Sequence, residues 1–416
     1  MSSLFETDQC TNRPRILFIG PGESTHTHSW AELLKDEPFN VRLFMAPHGS
    51  APPANWKVKT YITDYHCGPL DPATRRRLFG KGKAKRFVER SVGRVTGRTP
   101  KWNSFAAGWL AEIIRGWRPH IVHTFDLESA KFYHSVRQER LKGVHSKWVL
   151  QVRGGADLAL SHLDPELRGQ IGTVLRACDQ LIGDNQQNFQ IARELGVRED
   201  QISRIGTVPG TGGIDIEMLA QRWKGRTSER RVILWPRAYE SIFAKALPVY
   251  EALQLCWERL LPCKLHLLAM NAESRMYYWT LPEHIRRACE THERLPRVEA
   301  LNAMPHARVL LAPSLIDGVP NTMYEAMAAG AFPIVSPLQT IRPVVEDEQN
   351  VLFARNLYPE EIAAALVRAM TDDALVDAAA ERNLALVRRI ANREEIRARV
   401  VKFYEELAGL RVSTKS

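Results

Sequence analysis

The segment at residues 317–330 constrains the fold of this chain more than any other. Its sequence, DGVPNTMYEAMAAG, places two carboxylates, Asp317 and Glu325, eight positions apart. One apolar run, 308–313, precedes the segment and a second, 331–336, follows it. Two apolar runs separated by a turn and a small-residue helix predict strand, loop, helix and strand, a unit of a parallel α/β sheet. Ligands of such sheets bind where strands end, so the loop at Asp317 is a candidate ligand site.

The chemistry of this loop favours a sugar-nucleotide ligand. The turn at Gly318 leaves backbone N–H groups free at a helix start, where they and the helix dipole attract anions. A carboxylate at Asp317 can accept hydrogen bonds from sugar hydroxyls, and Glu325 can accept them from a ribose. Taken singly, Asp317 is equally explained as a carboxylate at a helix start and Glu325 as a solvated helix residue. The intact fourteen-residue string favours the functional interpretation.

The string resembles the signature of the retaining glycosyltransferases of the GT-B fold, specifically glycosyltransferase family four (group 1). That signature is EGxPNxxxEAMAxGxPVV, and Asp317 stands here in place of its first Glu. The resemblance implies that the first acid and the residues after it contact the donor sugar and that Glu325 contacts the ribose. It therefore assigns donor binding to Asp317, Gly318, Val319, Pro320, Asn321 and Glu325.

A second match lies upstream, where Arg237 and Lys245 follow the apolar run 231–236. The family has GRxxxxKG here, and its Arg and Lys bind the donor diphosphate. In this chain seven residues separate the two cations, and Pro236 and Ala246 replace the glycines. Two fixed cations can stabilise a leaving diphosphate without a metal, so neither a metal nor another cofactor is expected. The alternative is a pair of surface cations at a helix start.

The amino-terminal half resembles the family more loosely. Gly22 lies in the turn after the apolar run 15–20 and is predicted to contact the donor, and His26 follows it in a helix. The resemblance places His26 with Asp317, Arg237 and Lys245 among the catalytic residues. His123, Arg153 and Asp157 are candidates for the acceptor or the reacting centre, although Arg153 stands where the family usually has His. Each histidine is also explained as a satisfied, partly buried side chain.

Composition is consistent with a globular enzyme. The chain has 416 residues, of which 44% are hydrophobic, enough for two or three domains with real cores. It lacks an uninterrupted apolar run of membrane-spanning length and a signal-peptide pattern at its amino terminus. Its six cysteines are scattered, which indicates free thiols rather than a disulfide framework or a zinc site. A cytoplasmic location is therefore predicted.

The net charge of +10 is concentrated in residues 75–101, which hold eleven Lys or Arg and one acid. Apolar residues lie between these cations, as in basic amphipathic segments that bind anionic lipid without crossing the bilayer. The predicted contact with the inner face of a membrane rests on six of the cations: Arg75, Arg76, Arg77, Lys83, Lys85 and Arg86. A nucleic-acid patch and a merely solvated loop are the alternatives; nucleic acid is not expected as a partner.

The resulting prediction is an α/β protein of the GT-B fold, with two Rossmann-like domains facing a central cleft. Residues 1–213 would bind the acceptor, residues 214–395 the nucleotide-sugar donor, and residues 396–416 would form a helix crossing back to the first domain. The predicted function is metal-independent, retaining sugar transfer from a nucleotide-diphosphate donor to a glycan or lipid-linked acceptor, as in polysaccharide or glycolipid synthesis. A nucleotide-sugar 2-epimerase of the same fold and a non-catalytic sugar-nucleotide or membrane-surface binding module remain alternatives.

Overall fold

A computed structural model gives the structure of the chain and describes residues 8–50, 52, 56–63, 77–79, 104–155, 157–293 and 295–409. These residues form two parallel sheets flanked by helices, which confirms the predicted α/β class. In the first sheet the strand order is β4-β3-β2-β1-β5-β6-β7-β8. Its strands are β1 (Arg15–Gly20), β2 (Asn40–Met45), β3 (Lys59–Tyr61), β4 (Leu78–Phe79), β5 (Ile121–Thr124), β6 (Lys147–Val152), β7 (Gln180–Gly183) and β8 (Ile202–Thr207).

Helices cover both faces of the first sheet, so its central strands are buried on both sides and consist of near-continuous apolar runs. The helices of this half are α1 (Thr25–Glu32), α2 (Ser104–Trp117), α3 (Leu127–Arg140), α4 (Pro165–Arg176) and α5 (Gln186–Glu194). One core layer joins the sheet to α2, α3, α4 and α5, and includes Trp109, Phe132 and Leu175.

The second sheet has the strand order β11-β10-β9-β12-β13-β14. Its strands are β9 (Val232–Trp235), β10 (Lys264–Leu267), β11 (Cys289–Thr291), β12 (Ala307–Ala312), β13 (Phe332–Val335) and β14 (Leu352–Phe353). Its helices are α6 (Ile216–Ala220), α7 (Leu247–Leu260), α8 (Ala272–Thr280), α9 (Glu283–Arg286), α10 (Arg297–Ala303), α11 (Asn321–Ala328), α12 (Pro359–Thr371) and α13 (Asp373–Ala391). The strand, loop, helix and strand predicted around Asp317 correspond to β12, α11 and β13.

The last helix, α14 (Arg393–Leu407), returns to the first sheet, as predicted. Its apolar side, including Ile396, Val400 and Phe403, packs in one core with Ile16 and Phe18 of β1. The chain passes from the first half to the second near Ile214 and returns near Asn392, at the start of this helix. The two crossings lie side by side, because Ile214 and Asn392 form a β-bridge. None of the helices in the described residues is both long and apolar enough to span a membrane.

Both sheets reverse their strand order at a central pair of strands. In the first sheet the pair is β1 and β5, and in the second it is β9 and β12. Because crossover helices leave these strands in opposite directions, a crevice opens beyond their carboxyl ends, where α/β proteins bind ligands. The topology therefore places the candidate site between the two sheets.

Candidate functional site

A cavity of about 440 Å³ lies between the carboxyl edges of the two sheets. Residues from both halves line it, as expected for a cleft between two Rossmann-like domains. The lining residues of the first half are His26, Asp126, Arg153, Gly154, Gly155, Asp157 and Asp184. Those of the second half are Arg237, Tyr239, Phe243, Ile316, Asp317, Gly318, Val319, Pro320 and Asn321.

The second-half wall carries the two sequence motifs. Arg237 follows β9 and Asp317 follows β12, so the topological switch point brings together residues eighty positions apart. The Arg237 guanidinium donates to Asp317 Oδ2 in a short ion pair. Burial opposes the charge of Arg237, but the surrounding acidic groups, Asp317 first among them, together outweigh burial and raise the pKa of Arg237. The predicted diphosphate-binding cation and the predicted sugar-binding acid therefore contact each other directly.

The start of α11 forms one edge of the cavity. Its N-cap residue is Pro320, and no side chain caps the helix. The first N–H groups of a helix lack partners within the helix, and together with its dipole they attract negative charge. By contrast, the helices on the opposite wall have side-chain caps, since Ser24, Asp126 and Asn185 accept from the N–H groups of α1, α3 and α5.

Two predicted donor contacts in the second half lie outside the cavity lining. Lys245 is partly exposed, and its Nζ lies 2.8 Å from Glu240 Oε1. Glu325 is 2% exposed on α11 and accepts from the guanidinium of Arg297, the first residue of α10. Burial raises the pKa of Glu325, although Arg297 opposes the shift. The roles of Lys245 and Glu325 stay predictions.

The first-half wall contains His26, Asp126, Arg153 and Asp157 around one end of the cavity. Burial, reinforced by Arg153, lowers the pKa of His26 to about 4, so this imidazole is neutral at pH 7. Arg153 donates to the carbonyl oxygen of Phe125, while its own N–H donates to Asp157 Oδ2 at 3.2 Å. Arg153 and Asp157 thus form one connected unit with the loop that follows β5.

Two carboxyls of this wall hold protons more tightly than free aspartates do. Burial raises the pKa of Asp157 to about 7, and the neighbouring Asp126 adds to the effect. Burial also raises the pKa of Asp184 to about 6, despite a 2.8 Å hydrogen bond from the N–H of Gly154. Such carboxyls can donate as well as accept hydrogen bonds near neutral pH, which suits recognition of sugar hydroxyls.

His123 lies away from the cavity, and its assignment to the acceptor or the reacting centre stays a prediction. His123 is fully buried, and its Nδ1 lies 2.5 Å from the Tyr404 hydroxyl of α14. Because alternate residues of a strand face opposite sides, His123 points toward α14 and into an aromatic layer with Phe18 and Trp30. It does not line the cavity, and burial lowers its pKa to about 3.

Gly22 also lies outside the cavity lining. A Cβ at this position would lie 2.6 Å from the carbonyl oxygen of Ser50, so the first turn packs against the loop after β2 instead. Of the six cations predicted to meet a membrane, only Arg77 falls within the described residues, where it donates to the carbonyl oxygen of Trp56 at 3.1 Å. Arg75, Arg76, Lys83, Lys85 and Arg86 lie outside the described residues.

The sequence interpretation missed several residues of the site. Asp126 and Asp184 follow β5 and β7 within two positions, so the rule that ligands lie at strand ends could have identified them. Tyr239 and Phe243 lie between the two predicted cations, Arg237 and Lys245, and line the cavity. Arg297 carries no local signal, because its contact with Glu325 joins two different helices.

The two walls of the cavity touch through glycines. A Cβ on Gly155 would lie 2.7 Å from the carbonyl oxygen of Asp317, and a Cβ on Gly318 would lie 2.8 Å from Cα of Gly154. Contacts this short do not occur for real Cβ atoms, so only glycines permit this approach. The structure therefore describes a closed arrangement of the cleft at this point.

Comparison with known proteins indicates which class of protein this chain resembles. Residues 249–372, within the second half, match the family model described as "Glycosyl transferases group 1". No curated protein sequence matches the chain.

Solved structures match almost the whole chain at low sequence identity. HepE from Anabaena, solved in complex with UDP and glucose, is 10% identical, and the match covers 95% of this chain and all of HepE with a TM-score of 0.64. Sucrose-phosphate synthase from Thermosynechococcus elongatus is 15% identical, with the same coverages and a TM-score of 0.65.

An α,α-trehalose-phosphate synthase (UDP-forming) from Burkholderia vietnamiensis is also similar, at 12% identity and a TM-score of 0.61 over 95% of this chain and all of that one. At such identities these likenesses show the fold, which is GT-B. The group 1 match and the GT-B fold together identify this chain as a glycosyltransferase.

Proposed function

We propose that this protein is a retaining, metal-independent glycosyltransferase of family four that uses a nucleotide-diphosphate sugar. In this proposal residues 214–395 bind the donor, residues 1–213 bind the acceptor, and residues 396–416 belong to the returning helix. HepE has also been solved in complex with UDP-glucose, and that likeness makes a uridine nucleotide the first donor to test.

The observation that carries the proposal is the position of Arg237 beside the start of α11, in a cavity shared by both sheets. A guanidinium and an uncapped helix start form a site for a diphosphate that develops negative charge as it leaves. Lys245 would add a second cation if its side chain exchanged Glu240 for a phosphate oxygen, and Glu325 would accept from the ribose. This set supplies charge stabilisation from protein groups alone.

The proposed reaction breaks the bond between the anomeric carbon and the diphosphate and forms a bond from that carbon to an acceptor oxygen on the same face. The acceptor hydroxyl loses its proton to the leaving diphosphate. Neutral His26 can then orient sugar or acceptor hydroxyls without competing with Arg237 for the phosphate. Arg153, Asp157 and Asp126 form the wall on which the acceptor hydroxyls would lie.

The acceptor is proposed to be a glycan or a lipid-linked sugar of cell-surface polysaccharide or glycolipid synthesis. The basic segment at residues 75–101 would hold the enzyme at the inner face of an anionic membrane, where a lipid-linked acceptor resides. The whole net charge of +10 lies in these 27 residues, and this observation motivates the proposed membrane contact.

Incubation with a panel of nucleotide sugars, scoring released nucleoside diphosphate with and without EDTA, tests the function. We expect release with one class of donor and no loss in EDTA. NMR of the product should show the anomeric configuration of the donor sugar, which distinguishes retention from inversion.

Several results would overturn the proposal. Activity lost in EDTA and restored by magnesium would refute metal independence, and an inverted product would refute retention. Conversion of the donor to its 2-epimer, still linked to the nucleoside diphosphate and with no net release of it, would favour the epimerase. Binding of nucleotide sugars without turnover would favour a binding module.

A further inference from the structure

Asp317 accepts hydrogen bonds from two groups that a donor diphosphate would also need as partners. Its Oδ1 accepts from the N–H of Gly318 at 2.9 Å, and its Oδ2 accepts from the Arg237 guanidinium. Both oxygens of one carboxylate are therefore held by groups that bind anions. In this structure the Asp317 side chain stands where a phosphate would otherwise find its partners.

The length of the side chain and the fixed backbone around it allow this arrangement. The aspartate carboxylate is short enough to accept from the N–H of the next residue, Gly318. The Thr340 hydroxyl lies 2.9 Å from the carbonyl oxygen of Asp317 and 3.1 Å from that of Gly318, and Gly155 packs against the same main chain. The carboxylate can therefore leave Arg237 by side-chain rotation while the backbone stays in place.

We propose that Asp317 competes internally with the donor diphosphate for Arg237, and that this competition makes the site select the intact donor over the bare nucleoside diphosphate. The inference rests on the proposed function. An intact donor offers sugar hydroxyls that replace the partners Asp317 gives up. A bare diphosphate offers none, so it leaves the carboxylate unpaired or shares the guanidinium with it, and either result weakens binding.

The consequence for catalysis is easier release of the product. After transfer, the sugar hydroxyls leave with the acceptor, and Asp317 can return to Arg237 and displace the diphosphate. Binding that is stronger for the donor than for the product limits product inhibition. Asp317 thus gains a role in specificity that a sugar contact alone does not supply.

Asp317→Asn is the direct test, since asparagine keeps the shape but removes the charge that holds Arg237. UDP, GDP, ADP, CDP and dTDP are first titrated into wild type to find the nucleotide that binds best. We expect the Kd of that nucleotide to be about fivefold lower in the variant, the factor for an ion pair worth ~1 kcal/mol. Turnover of the intact donor should fall in the same variant. Isothermal titration calorimetry and initial rates give the two values.

Matched variants isolate the cause. Asp317→Asn in an Arg237→Ala background should give no tightening, because the competing contact no longer exists. Asp126→Asn removes a carboxylate from the opposite wall of the cavity without freeing Arg237, so it should change the Kd by less than twofold. Asp317→Ala should tighten binding like Asp317→Asn and serves if the latter does not fold.

The outcomes separate this inference from the proposed function. If wild type binds a nucleoside diphosphate and neither Asp317 variant binds it more tightly, the competition is refuted and the donor site stands. Equal tightening in the Asp126→Asn control would also refute it, since a general loss of negative charge would then be the cause. If wild type and variants bind no nucleoside diphosphate, the proposed function itself fails and this inference with it.

Discussion

Replacing Gly155 with alanine should slow sugar transfer while leaving the fold intact. Gly155 follows β6 and touches the loop after β12, at Ile316 and Asp317, across the cleft. An alanine Cβ would lie 2.5 Å from Ile316 Cγ2, 2.7 Å from the carbonyl oxygen of Asp317 and 2.9 Å from its nitrogen. The Ile316 methyl can move aside, but the carbonyl oxygen of Asp317 is held by the Thr340 hydroxyl. The two walls must therefore separate.

The size of the displacement follows from these distances. Ordinary contact begins at 3.4 Å, so the alanine requires a shift of about 0.7 Å between the walls. A misplacement near 1 Å in an active site costs on the order of a hundredfold in rate, because reacting atoms leave their attack geometry. We expect kcat to fall about tenfold to a hundredfold. The Kd of nucleoside diphosphate should change little, because Arg237 and α11 lie on one wall.

Steady-state kinetics, calorimetric titration with nucleoside diphosphate and thermal unfolding give the three readouts. Gly169→Ala in α4 is the matched control, since its Cβ would meet nothing within 4 Å and kcat should not change. Unchanged kcat in Gly155→Ala would show that the contact between the walls is irrelevant to transfer. A loss of nucleotide affinity as large as the loss of kcat would show that the substitution had damaged the loop after β12 rather than the contact between the two walls.

Four further predictions concern single features. Lys245→Ala should weaken nucleoside diphosphate binding about tenfold to a hundredfold by calorimetry if its charge-assisted contact is made, and unchanged affinity would remove Lys245 from the site. Glu325→Gln should weaken binding of nucleoside diphosphate and intact donor equally, because the ribose is common to both; a selective effect on the donor would contradict that role. Burial raises the pKa of Asp157 to about 7, so between about pH 4 and 7 the folded state keeps a proton that the unfolded state has released. The free energy of unfolding therefore falls as pH rises through this range. Asp157→Asn should flatten the slope of Tm against pH, and parallel slopes for the variant and wild type would argue against the raised pKa. Changing the six cations named in residues 75–101 to Ser should release the protein from anionic vesicles at low salt without altering nucleotide affinity, and equal sedimentation of both proteins would leave the segment as a solvated loop.

The fold could be predicted because the apolar runs and the motif string are both local patterns in the sequence. Apolar runs bounded by turns located β9, β12 and β13, and the returning helix expected at residues 396–416 overlaps α14. The motif string then placed Asp317 and Arg237 at strand ends, and the parallel topology brought those ends to one crevice. Nothing beyond strand order was needed to bring the two residues together.

The side-chain contacts that the sequence did not predict depend on information that local patterns lack. His123 lies in a strand buried on both faces, so hydrophobic alternation could not show which way its imidazole points. The partner of Glu325 is Arg297, which begins a different helix 28 positions away. Asp317 was predicted to face a sugar, but no sequence pattern indicated that Arg237 would hold its carboxylate.

Three acid–cation pairs lie in the second half of the chain. Arg237 pairs with Asp317, Lys245 with Glu240, and Arg297 with Glu325. Each of these partly exposed cations therefore already has a carboxylate partner before any anionic ligand binds. Exchange of a resident carboxylate for a phosphate would replace one charge-assisted contact with another, so part of the electrostatic gain cancels. Contacts to the sugar add affinity that the resident acids do not offset in this way, and these are the contacts by which a transferase can distinguish its donor from its product.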